Sequence, residues 1–151
     1  MKSVEITYIN PDDAHPTLKK EIKQVAERVQ RGLGFPLPPI EVEISCFFAT
    51  KDRHFAAQEG IMPAKIYFCG DLIDQPKTRR IGIIAHEFGH VLQNVERELT
   101  GDVDQEDRDY EQDCDFKIES VAGYRIYYDD DLLQRSGPGA RGTFPRPRGL
   151  K

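Results

Sequence analysis

An apolar repeat between residues 81 and 95 constrains the fold of this chain more than any other feature. Its members recur at the three- and four-residue spacing of a helix that buries one stripe in a core. They are Ile81, Ile84, Ala85, Phe88, Val91, Leu92 and Val95. Gly82 and Gly89 each weaken such a helix by roughly 1 kcal/mol relative to alanine. The sequence therefore predicts a core helix that another backbone or a ligand approaches closely.

Two histidines lie on this helix beside the buried stripe. His86 and His90 are four residues apart in the run His-Glu-Phe-Gly-His, so their imidazoles point the same way and can bind one zinc ion. Glu87 follows the first histidine, where a base can stand beside the open position of the metal. The pattern His-Glu-x-x-His arises by chance in about one in a hundred sequences of this length and composition. The interpretation therefore depends on the helical context of the motif. The alternative is a surface helix whose histidines bind nothing.

A catalytic zinc needs a third protein ligand, and the sequence limits where it can come from. The other two histidines, His15 and His54, lie well upstream, which excludes a third histidine shortly after the motif and with it the metzincin pattern. Residues 102–115 contain eight carboxylates and one arginine. Within this segment Glu111 and Asp115 are one helical turn apart. We therefore expect a carboxylate from this segment to complete the site.

The two motifs together resemble those of gluzincin metallopeptidases, which include the thermolysin-like and minimal gluzincin families. The resemblance covers about residues 79–125 and includes the interval between the second histidine and the downstream glutamate. It implies a zinc site whose ligands are His86, His90 and Glu111. It also implies that Glu87 is the general base and that Asp115 holds a ligating histidine by its ring N–H.

The acidity of the downstream segment leaves other third ligands open. Asp109, Asp113, Asp115 or a cysteine could replace Glu111 at the metal. Cys114 stands where the family usually has a small alanine or serine. We expect this replacement to be harmless, because a buried cysteine behaves as a small hydrophobic residue.

The remaining patterns predict an α+β fold. Alternating apolar residues predict strands at residues 4–8, 40–46 and 64–69, and helical spacing predicts a helix from residue 16 to about Gly32, with a glycine at its end. Residues 49–63 are interpreted as a loop. The expected architecture is a small zincin-like domain, in which a short mixed β-sheet packs on the active-site helix and a second, ligand-bearing helix.

The resemblance also gives the strand before the active-site helix a role. It implies that residues 66–68 belong to a sheet edge over the metal, along which an extended peptide can bind. The alternative is an interior strand, which the run Ile-Tyr-Phe-Cys suits equally well.

Length and composition predict one domain at residues 1–135. A chain of 151 residues with 38% hydrophobic content can form one compact core but hardly two. An apolar signal stretch is missing at the start and no run is long enough to cross a membrane, so we expect a cytoplasmic protein with no membrane partner. The three cysteines form no C-x-x-C pair and are expected to be reduced core residues. They are Cys46, Cys69 and Cys114.

Residues 136–151 differ from the rest of the chain and are expected to form a basic, disordered tail. They are rich in glycine and proline and contain almost nothing to bury. Together with Arg135 they carry five basic side chains and no acidic one, although the whole chain has a net charge of −5. A basic arm could bind nucleic acid or fold back over the acidic segment at residues 102–115. A solubilising terminus is favoured instead, because Phe144 is the one aromatic residue of the tail that could stack on a base. The acidic body also argues against a large duplex-binding face.

These features predict hydrolysis of a peptide or protein substrate with Zn²⁺ as cofactor. The metal lowers the pKa of its bound water to roughly 7 and polarises the scissile carbonyl, while Glu87 transfers a proton from water to the leaving amine. The alternatives are a noncatalytic zinc-binding interaction module and a metal-dependent amidohydrolase with a non-peptide substrate. Glu87 argues against the first, because a structural zinc site needs no base. The candidates for stabilising the oxyanion are His54, Tyr110, Tyr124 and Tyr127.

Overall fold

A four-stranded mixed sheet forms one layer of the protein. The computed structural model describes residues 2–45, 56–100 and 107–124, with the side chains of residues 57, 100 and 107–112 outside the description. The strands are β1 (Ile6–Tyr8), β2 (Ile40–Ile44), β3 (Ala56–Glu59) and β4 (Ala64–Phe68), in the spatial order β1-β2-β4-β3. The first, second and fourth are parallel, whereas β3 runs antiparallel to β4.

Three helices in the described part of the chain complete an α+β fold, as expected. They are α1 (Pro16–Leu33), α2 (Lys77–Thr100) and α3 (Asp107–Ala122), and a short 3-10 helix (Gly70–Asp74) joins β4 to α2. Every second residue of β2 and β4 is buried and meets the apolar stripes of α1 and α2. Arg80 at the start of α2 makes a bidentate pair with Glu21 on α1, with N···O distances of 2.9 and 2.7 Å. This pair fixes α2 against α1.

The end of α1 differs slightly from the prediction. The helix continues through Gly32 to Leu33, and Gly34 ends it with a φ of 83° while its N–H donates to the carbonyl of Gln30. Gly32 serves a different purpose, because a Cβ there would lie 1.8 Å from the carbonyl oxygen of Val121 in α3. The glycine therefore allows α1 and α3 to touch through their backbones.

Two expectations for the sheet were wrong. Residues 49–63 do not form one loop, since β3 lies within them and pairs with β4 from Ala56 to Glu59. Residues 66–68 are not at an edge, because β4 lies between β2 and β3. The edge of the sheet next to the motif helix is β3, among the residues described. Its sequence, Ala-Ala-Gln-Glu, has little intrinsic strand preference, so its pairing with β4 and its packing on α2 hold it in place.

No helix in the described ranges combines the length and apolar character that a bilayer crossing requires. Cys69 and Cys114 are free thiols within the core, as expected, whereas Cys46 and the predicted tail lie outside the described residues.

Candidate metal centre

Helix α2 brings the two histidines of the motif to one point. His86 is buried and His90 is half-buried. Their Nε2 atoms are 3.1 Å apart, and the rings meet edge to face with centroids separated by 4.6 Å. Two nitrogen ligands of a tetrahedral zinc, each about 2.0–2.1 Å from the metal, are separated by about 3.3 Å. This spacing therefore allows both donor atoms to bind one metal ion.

A side chain of helix α3 contacts the first of these histidines, His86, at its other ring nitrogen. Asp115 places its Oδ1 atom 2.8 Å from His86 Nδ1, and both side chains are almost fully shielded from solvent. An ionised carboxylate can only accept, so Nδ1 of His86 carries a proton and Nε2 presents a lone pair. The structure thus places Asp115 where the resemblance implies it, on the side of the ring away from the other histidine.

The glycine inside the motif allows the two helices to meet closely. A Cβ on Gly89 would lie 2.5 Å from Cys114 Sγ and 2.8 Å from the Cys114 carbonyl oxygen. The thiol in turn donates to the carbonyl of His86 over 3.0 Å. The close approach expected at Gly89 is therefore made by the backbone of α3, and it brings Asp115 within reach of His86.

We expect Gly89→Ala to destabilise the fold despite the better helix propensity of alanine. The added methyl group would force α2 and α3 apart, and overpacking of this kind costs about 1–3 kcal/mol. Thermal unfolding checks the prediction, with an expected fall in Tm of several degrees. Adding Cys114→Ala should recover only part of the loss, since the carbonyl of residue 114 remains in the way. An unchanged Tm for Gly89→Ala would contradict the close contact.

Three of the residues considered as alternative third ligands are engaged elsewhere. Cys114 Sγ lies within 4.8 Å of donor atoms on both histidines, but it is 3.7 Å from His86 Nδ1, the nitrogen that faces Asp115. A metal between the Nε2 atoms would lie on the opposite side of that ring. Asp113 accepts a hydrogen bond from Gln93 and forms an ion pair with Lys117, and the Asp115 carboxylate lies at hydrogen-bond distance from His86 Nδ1. The contacts described for these three side chains are therefore made with groups other than the Nε2 atoms.

Glu111 and Asp109 belong to the backbone of α3, but their side chains lie outside the described residues. By position Glu111 shares a helical face with Asp115, one turn earlier, and Asp115 faces α2. The oxyanion candidates His54 and Tyr127, and the side chain of Tyr110, also fall outside the description. The remaining candidate, Tyr124, packs under Arg28 of α1, with the guanidinium carbon 4.5 Å from the ring centroid.

The sequence reasoning missed Gln93. Its Oε1 atom is 2.8 Å from His90 Nδ1, and the residue is buried. The available signal was a polar residue three positions after His90, which is the spacing of neighbours on one helix face. Glu87 is also buried, at 2% exposure, and follows His86 about 100° further around the helix.

Comparison with known proteins found no relative of this chain. No protein-family model, no curated protein and no solved structure matches the chain.

Proposed function

We propose that this protein is a zinc-dependent metallopeptidase with a zincin-like fold of the gluzincin type. The observation that carries the proposal is the 3.1 Å distance between the Nε2 atoms of His86 and His90. In addition, the buried Asp115 contacts the other ring nitrogen of His86. An aspartate on the second ring nitrogen is the usual support of a metal-binding histidine. His86 and His90 are the first two ligands, and Glu111 is the third.

The donors suit zinc. Two neutral imidazoles and one carboxylate form the ligand set of many catalytic zinc sites and leave a fourth position open. Zinc bound there supplies a Lewis acid for the scissile carbonyl and a water of lowered pKa. Asp115 keeps the proton of His86 on Nδ1, so the lone pair of Nε2 stays directed at the ion.

Glu87 acts as the general base in this proposal. It follows His86 on the same helix and accepts a proton from the attacking water. It then passes this proton to the departing amine. Glu87 is 2% exposed, so bulk water has little access to its carboxylate.

The edge strand β3 offers the substrate a place to bind. It ends the sheet among the residues described and packs against α2. Asn94, one turn after His90, donates to Gln58 of β3 over 2.7 Å and so ties this strand to the histidine-bearing helix. An extended peptide can add to such an edge by main-chain hydrogen bonds, which would lay it beside the metal.

Removal and return of the metal test the proposal directly. The purified protein should bind one zinc ion per chain and cleave members of a library of extended peptides, as followed by mass spectrometry. A chelator should abolish cleavage, and one equivalent of zinc should restore it. His86→Ala should bind zinc weakly and remain inactive, with His15→Ala as the matched control at a histidine far from the motif in sequence. Failure of the wild type to bind zinc would refute the metal centre, and zinc binding without any cleavage would indicate a noncatalytic module.

A further inference from the structure

A chain of hydrogen bonds leads from the second histidine to the surface of α3. His90 Nδ1 lies 2.8 Å from Gln93 Oε1, and Gln93 Nε2 donates to Asp113 Oδ2 over 2.9 Å. Lys117, one turn further along α3, lies 3.7 Å from the other oxygen of Asp113 and also pairs with Glu96 on α2. These hydrogen bonds and ion pairs form a second connection between α2 and α3, separate from the contact of Asp115 with His86.

The charge of Asp113 determines which way the amide of Gln93 points. A carboxylate only accepts hydrogen bonds, so the NH₂ group of Gln93 must face it and the carbonyl oxygen must face His90. Lys117 supports this arrangement as a cation. Burial lowers the pKa of Lys117, but its bonds to Glu96 and Asp113 outweigh that effect and raise the pKa above its ordinary value.

The orientation of the amide in turn determines the proton position on His90. Because Gln93 offers an acceptor, Nδ1 of His90 must be the protonated nitrogen, and Nε2 is left with a lone pair. Asp115 imposes the same state on His86. Two lone pairs then face each other across 3.1 Å, an arrangement that a cation between them, a proton or a metal ion, stabilises.

We infer that Gln93 and Asp113 are positioning residues that hold His90 in its metal-binding tautomer. The inference rests on the proposed zinc centre and assigns each histidine its own support from α3, Asp115 directly and Asp113 through Gln93. Neither residue contacts the metal. Their contribution is to remove the tautomer in which Nε2 of His90 carries a proton and cannot bind zinc.

Zinc affinity and histidine tautomers test this assignment. Gln93→Leu keeps the size of the side chain but removes the acceptor, and it should weaken zinc binding about ten- to hundredfold in a chelator competition at fixed pH. In the zinc-free protein, ¹⁵N NMR of the imidazoles should show the proton of His90 shifting toward Nε2. Gln24→Leu, the same substitution at an exposed position of α1, should change neither quantity.

A second variant keeps the test decisive if Gln93→Leu does not fold. Asp113→Asn retains the shape of the partner but can bond to either end of the Gln93 amide, so the His90 tautomer should become mixed and zinc affinity should fall. A folded Gln93→Leu protein with wild-type zinc affinity, or with an unchanged His90 tautomer, would overturn the inference and leave the zinc centre standing. For Asp113→Asn, an unchanged tautomer would count equally against it. Absence of zinc binding by the wild type would instead refute the proposed function.

Discussion

Glu87→Gln should bind zinc as tightly as the wild type and lose at least about a hundredfold in peptide hydrolysis, because an amide cannot accept the proton of the attacking water. The substitution keeps the size of a buried side chain, so the Tm should change little. The measurement is turnover of any peptide that the wild type cleaves, together with zinc content. Glu98→Gln, at an exposed position of the same helix, is the matched control and should be fully active. Comparable turnover by Glu87→Gln and the wild type would remove Glu87 from the mechanism.

Glu111→Ala should weaken zinc binding more than any other single acidic substitution in α3. Loss of a residue that supports a ligand typically costs ten- to hundredfold in affinity, so loss of a ligand itself should exceed about a hundredfold. Asp115→Ala and Asp113→Ala should fall within the smaller range, because their carboxylates contact His86 and Gln93 rather than the Nε2 atoms. Asp109→Ala should have little effect. Competition with a chelator at fixed pH measures all four variants, since metal binding releases protons.

The ranking of these variants separates the possible third ligands. Wild-type affinity in Glu111→Ala would defeat the gluzincin interpretation. A loss beyond a hundredfold in Asp109→Ala would move the third ligand to that residue. Either result would leave the two histidines in place, because their geometry does not depend on the third donor.

Helices α1 and α2 were predictable from their own sequences, whereas α3 was expected from the family resemblance. The apolar repeats of α1 and α2 have helical spacing over several turns, and Pro16 marks the start of α1. Strand β3 was not predictable, because its four residues alternate no apolar and polar side chains and owe their conformation to β4. The edge position assigned to residues 66–68 failed for a related reason. Whether a strand is interior depends on a neighbour that its own sequence does not specify.

In the candidate site, too, contacts within one segment were predictable and contacts that depend on a second segment were not. The pairing of His86 with His90 follows from a four-residue spacing on one helix, so the sequence alone predicts it. Asp115 came from resemblance to a family, and the contact with His86 spans 29 residues. The role of Gln93 could not be recognised from the sequence, because the orientation of its amide depends on Asp113 in another helix. Residues that act through a partner are harder to find than the ligands they support.

The order of helices α2 and α3 along the chain also affects how the candidate site can assemble. The contacts described for the two imidazole rings come from residues 86–115, so they join consecutive helices separated by a linker of only six residues. Bringing together two helices so close in sequence costs little chain entropy, and contacts between sequence neighbours form early in folding. The parallel pairing of β1 with β2, by contrast, must bridge more than thirty residues. If the proposed zinc centre forms, the helical pair could bind the metal before the sheet is complete, and the ion would then stabilise the folding protein as well as the reaction.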